Sequence, residues 1–330
     1  MDENHIQKQL FQQIKNSLHP HISMVDEIGE LLGISYDSVY RRIRGEKPVT
    51  LNELKLLCDR FHLSLDNVLQ LHTDKVLFTD MEANGSVTNF TDYVEGLLMQ
   101  LKYFNSFNNR QLLYLSKDIP IFYFFYNREL AAFKSFFWSK SILNDPAFAD
   151  LSFSSKAFDD TASYELGQKV LAEYNKLPST ELWNYESINS TILQIQYYKD
   201  AGIFTSQDDL NRVLDGCDDM LQHLQKQVEK GCKFSRGSGG DVGGASLKFY
   251  INEIILVNNS ILVETDDNRM AIINHIVLKY ISTMDKKFTD KAFANFQNLI
   301  SRSILISETG ERERSKFFKI LRAKIIAYKK

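Results

Sequence analysis

Residues 24–47 read MVDEIGELLGISYDSVYRRIRGEK, and their reading decides the N-terminal part of the chain. Val25, Ile28 and Leu32 recur at the three-to-four spacing of one apolar helix face, which predicts a helix over about 24–32. Gly33 supplies the turn, because a sharp helix end needs a left-handed residue and only glycine takes that conformation without a Cβ penalty. Ser35 stands at the N-cap of a second helix, where its hydroxyl can accept a bond from a free backbone N–H. Gly29, four residues before Gly33, lets the second helix cross closely over the first. Val39 and Ile43 then point inward, and Tyr36, Asp37, Tyr40, Arg41 and Arg44 are left facing out.

Two short helices at this spacing predict a helix-turn-helix whose reading helix runs from Ser35 to Arg44. The downstream pattern agrees. Glu46-Lys47-Pro48 make a helix stop and a loop, Thr50 and Glu53 make a capping box, and Leu51, Leu54, Leu57 and Cys58 form the stripe of the next helix. Phe61, Leu63, Leu65, Val68 and Leu69 carry into a last short helix begun by Ser64. Upstream, Ile6, Leu10, Phe11, Ile14 and Leu18 make an opening amphipathic helix.

LLGISYDSVYRRIRGEKP, continued by TLNELKLLCDRFHLSLDNVL, resembles the Cro/phage-repressor class of DNA-binding domain, the xenobiotic-response-element family. The resemblance covers Ile6 to Leu71, about a fifth of the chain, and implies a compact bundle of five helices. Members of that family carry an apolar residue and then an acid before the final Asn/Arg-Gly; here Arg42 and Ile43 hold those places. Either Ile43 takes over the packing, or Arg42 lays its stem over the core. The resemblance implies double-stranded DNA as partner, with Ser35, Tyr36, Asp37, Ser38, Tyr40, Arg41, Arg44 and Lys47 as the contacting residues.

Composition sets the outer bounds. The chain has 330 residues and a net charge of −3, so it is long enough for two or three domains and is no bulk polyanion binder. Arg41, Arg42, Arg44 and Lys47 nevertheless crowd one helix, countered locally by Asp37 and Glu46, and such focused charge suits phosphate at one face. Cys58, Cys217 and Cys232 are odd in number, far apart and outside any C-x-x-C, so neither a zinc site nor a disulfide framework is indicated. His19 and His21 flank Pro20 with no further ligand in sight. No apolar run is long enough to span a bilayer and the first residues lack a signal-peptide layout, so the expectation is a cytoplasmic protein with no membrane contact.

The expected domains are a DNA-binding head over 1–72, a linker over 73–90 containing the strand-like VLFTD, and a sensor or dimerisation region over 91–330. The glycine-rich loop Phe234-SRGSGGDVGGAS marks a candidate division of that region near 235–246. The fold class expected is mainly α with a smaller mixed α/β part. Phe90–Phe107, Tyr164–Lys176, Glu181–Asp200 and Asp208–Lys230 read as helices, as does the tail from Glu311, and Gln111–Ser116 reads as a strand. IFYFFYNRELAAFKSFFWSKSIL reads as one helix buried nearly all round, core before pocket or dimer face. LKFYINEIILV and ILVET, parted by Asn258-Asn259-Ser260, predict a β-hairpin; MAIINH can add a strand and VLKYIS a helix.

No G-x-S-x-G, H-E-x-x-H, phosphate-loop or kinase signature occurs. His275, Lys279 and Asp285 come nearest to a reactive set, but a His-x-Lys site is excluded by Val277. Glu165, Glu173 and Glu181 isolate no catalytic pair. The expected function is a one-component transcriptional regulator, not an enzyme and without a cofactor. It would act as a homodimer answering an unidentified small-molecule or protein signal. The alternatives are a protein-interaction adaptor built on the same bundle and a C-terminal enzyme delivered to DNA.

Overall fold

The computed structural model describes residues 5–18, 22–61, 63–69, 76–81, 89–158, 160–237, 244–253, 258–266 and 268–329. His19, Pro20, His21 and much of the glycine-rich loop lie outside them. The chain divides into two units, Met1–Leu77 and Phe78–Lys330.

The first unit is a five-helix bundle: α1 (His5–Ser17), α2 (Met24–Leu32), α3 (Tyr36–Ile43), α4 (Leu51–Phe61) and α5 (Leu65–Val68). Its core is Leu10, Phe11, Ile14, Ile28, Val39, Leu57, Phe61 and Val68, drawn from every helix. Two expectations shift. Leu51 opens α4 on the surface at 83 % exposure, because it precedes the inward face set by Leu54 and Leu57. Cys58 is half-buried at the rim of that core.

The second unit begins with β1 (Thr79–Asp80), inside the stretch expected as linker, and α6 (Phe90–Asn105). There follow β2 (Arg110–Ser116), α7 (Arg128–Ser141), α8 (Thr161–Tyr174), β3 (Ser179–Trp183), α9 (Asn189–Asp200), α10 (Gln207–Lys230) and β4 (Leu247–Ile251). The unit closes with β5 (Ser260–Thr265), β6 (Asn268–Ile276), β7 (Lys279–Thr283), α11 (Lys286–Ile300), β8 (Ile304–Leu305) and α12 (Glu311–Ile326). One mixed sheet, ordered β1-β7-β6-β5-β2-β3-β4-β8, holds the unit together. β2, β3 and β4 are parallel, as helical crossovers require, and β5, β6 and β7 form an antiparallel meander. Side-chain alternation splits the sheet's two faces. Leu112, Tyr114, Trp183 and Phe249 enter a large aromatic core. Leu113, Leu182 and Leu262 meet Phe293 and Phe296 of α11.

Several sequence expectations are corrected here. No division falls near 235–246, because β4, after that loop, is hydrogen-bonded to β3 before it. β4 and β5 do not form a hairpin; β4 pairs with β3 and β8, β5 with β2 and β6. The hairpins lie one strand later, β5 with β6 and β6 with β7. VLKYIS is a turn at Leu278 (φ 63°) and a strand, since a short apolar run fits either period and the pairing with β6 decides. Ser179–Trp183 is a central strand buried on both faces, so no alternation betrays it. The aromatic run is broken in two, a 3-10 helix at Ile121–Tyr126 and then α7, because the Asn127 side chain caps α7 by accepting from the Leu130 N–H at 3.0 Å. Its rings are core, packed on Tyr174, Trp183 and Tyr198.

Candidate nucleic-acid interface

The site is built from the ends of two helices. Ser23 caps α2 by accepting from the Asp26 N–H at 3.4 Å. Gly33 ends it at φ 63°, ψ 37°, with the Gly33 N–H on the Glu30 carbonyl and the Ile34 N–H on the Gly29 carbonyl. That pair of bonds is the Schellman pattern, which satisfies carbonyls the helix leaves open. A Cβ on Gly29 would stand 3.3 Å from the Ile34 carbonyl oxygen and 3.6 Å from the Tyr36 ring, so the close crossing needs a small residue there.

Ser35 then caps α3, accepting from the Ser38 N–H at 3.4 Å and donating to the Ser38 hydroxyl at 3.1 Å. The two serines are thus brought to each other: Ser35 is exposed with its hydroxyl engaged, and Ser38 is half-buried. Val39 is fully buried and seats the helix on the core. Tyr36, Asp37, Tyr40, Arg41 and Arg44 fall on the opposite side and are exposed, as is Lys47 beyond the helix. Tyr36 is 61 % and Tyr40 49 % exposed, large rings for a solvent face.

Arg42 behaves otherwise. It is 3 % exposed, with Nη2 2.6 Å and Nε 3.3 Å from the two Glu53 carboxylate oxygens, and Nη1 donating to the Ser38 carbonyl at 3.1 Å. Its guanidinium therefore fills an inward position of α3, and Ile43 is only half-buried beside it. Glu53 also completes the capping box, accepting from the Thr50 N–H at 2.9 Å while its own N–H donates to Thr50 Oγ1 at 3.2 Å. Burial opposes ionisation of Glu53, but the bonds from Arg42 and Thr50 outweigh it and hold its carboxyl below the usual range.

Sequence reasoning missed three residues. Gln7 of α1 donates to the Arg42 carbonyl at 2.7 Å and the Lys47 carbonyl at 2.8 Å, and accepts from the Val49 N–H at 3.0 Å, so it ties the loop after α3 to α1. Glu53 was legible as a cap but not as the partner of Arg42. Glu46, read only as local counter-charge, grips Arg44 side-on, Nε to Oε1 at 2.6 Å and Nη2 to Oε2 at 3.1 Å. Arg41 Nε lies 3.8 Å from the same carboxylate. The hydrogen bond between them lifts the Arg44 pKa and lowers that of Glu46.

The exposed face thus carries two guanidinium groups, two phenols and one carboxylate in the first turn, all held on a capped helix. Such a set can donate bidentately to guanine edges, meet phosphate oxygens, and accept from a cytosine amino group. Among the described residues no group of His, Cys, Asp or Glu could hold a metal ion. His275, at the end of β6, is exposed, and Asp285 caps α11 by accepting from the Phe288 N–H.

Residues 2–87, about a quarter of the chain, match the family model of the BetR domain, a helix-turn-helix-type DNA-binding domain family. No curated protein and no solved structure matches the chain. The N-terminal region is accordingly similar to a DNA-binding regulatory domain, and the finer kinship with Cro-like repressors rests on the sequence resemblance alone. No helix among the described residues is long and apolar enough to cross a membrane.

Proposed function

We propose that this protein is a one-component transcriptional regulator that binds a specific operator through α3, without enzymatic activity. The observation that carries this reading is the outward face of α3: Tyr36, Asp37, Tyr40, Arg41 and Arg44 exposed together on a helix whose inward side is fixed by Val39 and the Arg42–Glu53 pair. The match of residues 2–87 to a DNA-binding domain family supports it. One such head contacts only a few base pairs, so useful specificity calls for two heads about one DNA turn apart, which favours a homodimer on a palindromic site. The second unit would supply the dimer contact, the signal, or both. A cavity of about 320 Å³ between the starts of α7 and α8, lined by Arg128, Glu129, Phe158, Asp160 and Tyr164, is of a size that suits a small signal molecule.

The test is selection of binding sites from random duplexes with the full chain, followed by a footprint on the best sequence. A two-fold motif protected over two half-sites is expected. Failure to enrich any sequence would favour the bundle as a protein-interaction adaptor.

A further inference from the structure

We propose that Glu46 is an intramolecular guard on the reading helix. Its carboxylate occupies the Arg44 fork that a DNA phosphate would otherwise take, lies beside Arg41, and so keeps affinity for arbitrary DNA low. The inference rests on the reading of α3 as the DNA-facing helix.

Geometry is the ground for it. Both oxygens of Glu46 are engaged by one edge of Arg44, at 2.6 and 3.1 Å, in the side-on arrangement by which a guanidinium also grips a phosphate. Arg41, the other cation of that face, has its Nε 3.8 Å from Oε2 of the same carboxylate. The backbone holds Glu46 in place. Its N–H donates to the Arg41 carbonyl at 2.8 Å, and the Lys47 N–H donates to the same carbonyl at 3.2 Å. The chain therefore folds back over the last turn of α3, and Gln7 fastens the loop from beneath through the Arg42 and Lys47 carbonyls.

Both partners are about half exposed, 53 % for Arg44 and 48 % for Glu46. A pair that open adds little to folding, so the fold does not require it. It does alter what the face offers to DNA. A phosphate taking the Nε–Nη2 edge of Arg44 must displace the carboxylate seated there, and one that approaches Nη1 instead meets that carboxylate as a neighbouring like charge. Contacts with a well-matched site, above all two hydrogen bonds to a guanine edge, compensate for the displacement; a chance phosphate contact does so poorly. Glu46 thereby acts on the ratio of specific to non-specific binding, the quantity that governs occupancy of an operator among many competing sites.

The experiment measures binding of the full chain to a random-sequence 30-base-pair duplex pool and to the pool enriched by the wild-type protein, across a salt series. Glu46→Gln is expected to tighten binding to the random pool on the order of 5-fold and to steepen the salt slope by about one counterion. Affinity for the enriched pool should rise less, so the specificity ratio falls. Asp59→Asn, which removes an exposed acid from α4, should leave both unchanged, and the melting temperature of Glu46→Gln should match wild type. In an Arg44→Ala background Glu46→Gln should lose most of its effect. Equal affinities for wild type and Glu46→Gln, or an undiminished effect in the Arg44→Ala background, overturn the guard and leave DNA binding standing. A wild-type protein that binds neither pool at low salt overturns the DNA reading, and the guard with it.

Discussion

Asp37 and Arg42 lie five residues apart on α3, and only one of them faces solvent. Asp37, in the first turn, complements the helix dipole but repels phosphate, so at a DNA surface it favours a cytosine amino group or a dipole role without base contact. In a binding-site selection, Asp37→Asn is expected to shift the preference at one base pair per half-site towards adenine, which an amide can meet with two bonds; an unshifted preference leaves Asp37 with the dipole role alone. Arg42 is a structural cation. Removing Glu53 would leave it buried without a carboxylate, so Glu53→Ala should cost the N-terminal unit about 3 kcal/mol in a denaturant titration. Glu53→Gln, which keeps a hydrogen-bond acceptor, should cost distinctly less. A Glu53→Ala variant as stable as wild type would remove Arg42 from the core.

The helices of the first unit depend on their ends as much as on their faces. α3 spans only eight residues, too short to persist without tertiary contacts, and both of its approaches are fixed by specific bonds. Gly33→Val places a β-branched residue at φ 63°, a conformation it strongly resists. Both tryptophans, Trp138 and Trp183, lie in the aromatic core of the second unit. Far-UV circular dichroism therefore reports both units, whereas tryptophan fluorescence reports the second alone. The expected outcome for Gly33→Val is an earlier loss of part of the helical signal with the fluorescence transition unmoved. Gln7→Ala should act in the same sense, by about 1–2 kcal/mol, because it releases two carbonyls and one N–H around the loop after α3. A fluorescence midpoint that shifts in step with the helical signal would mean the two cores do not unfold separately.

At the scale of the whole molecule, the second unit buries more polar chemistry than its sheet suggests. Glu181, on β3, is fully buried and accepts from the Tyr123 and Tyr174 hydroxyls, the Ser179 hydroxyl and the Trp183 indole N–H. Lys233 is fully buried too, donating to the Leu177 carbonyl at 2.8 Å with its ammonium 3.4 Å from the Tyr174 ring centroid. Burial pushes Lys233 down to about 7 and Lys134 down to about 8, against the opposing pull of Glu181 and Asp118. In the unfolded chain both lysines keep their protons to about pH 10. Between pH 7 and 9 the unfolded chain therefore holds more protons than the native one, and stability rises with pH. Below that window the cost of both buried charges is present in full. Above it Cys217, which burial pushes up to about 12, opposes the rise because the unfolded thiol ionises first, and the trend reverses only beyond about pH 10, where the unfolded lysines also lose their protons. The fluorescence-detected melting temperature is accordingly expected to climb from pH 7 to 9, and the Lys134→Met/Lys233→Met variant to climb much less. A wild-type midpoint that stays level or falls over that range contradicts this account.

The sequence by itself determined the N-terminal helix-turn-helix, because the features that mark it are local. A left-handed glycine, a serine cap, a capping box and a 3.6-residue stripe act within a few residues of one another, and each leaves its mark in the order of the chain. The same locality made α10 and α12 legible. Tertiary structure alone decided the sheet. Whether Ser179–Trp183 is strand or helix depends on β2 and β4, from distant parts of the chain, and burial on both faces erases the alternation that would reveal it. Pairing likewise separated β4 from β5, which adjacency had joined. The finer design of the site was out of reach for the same reason. The sequence left open whether Arg42 or Ile43 turns inward until Glu53, eleven residues on, is seen to pair with Arg42, and Gln7 carries no signal until α1 lies beneath the loop it fastens. Local chemistry is written in the sequence; a hydrogen bond between distant residues exists only once the fold has brought them together.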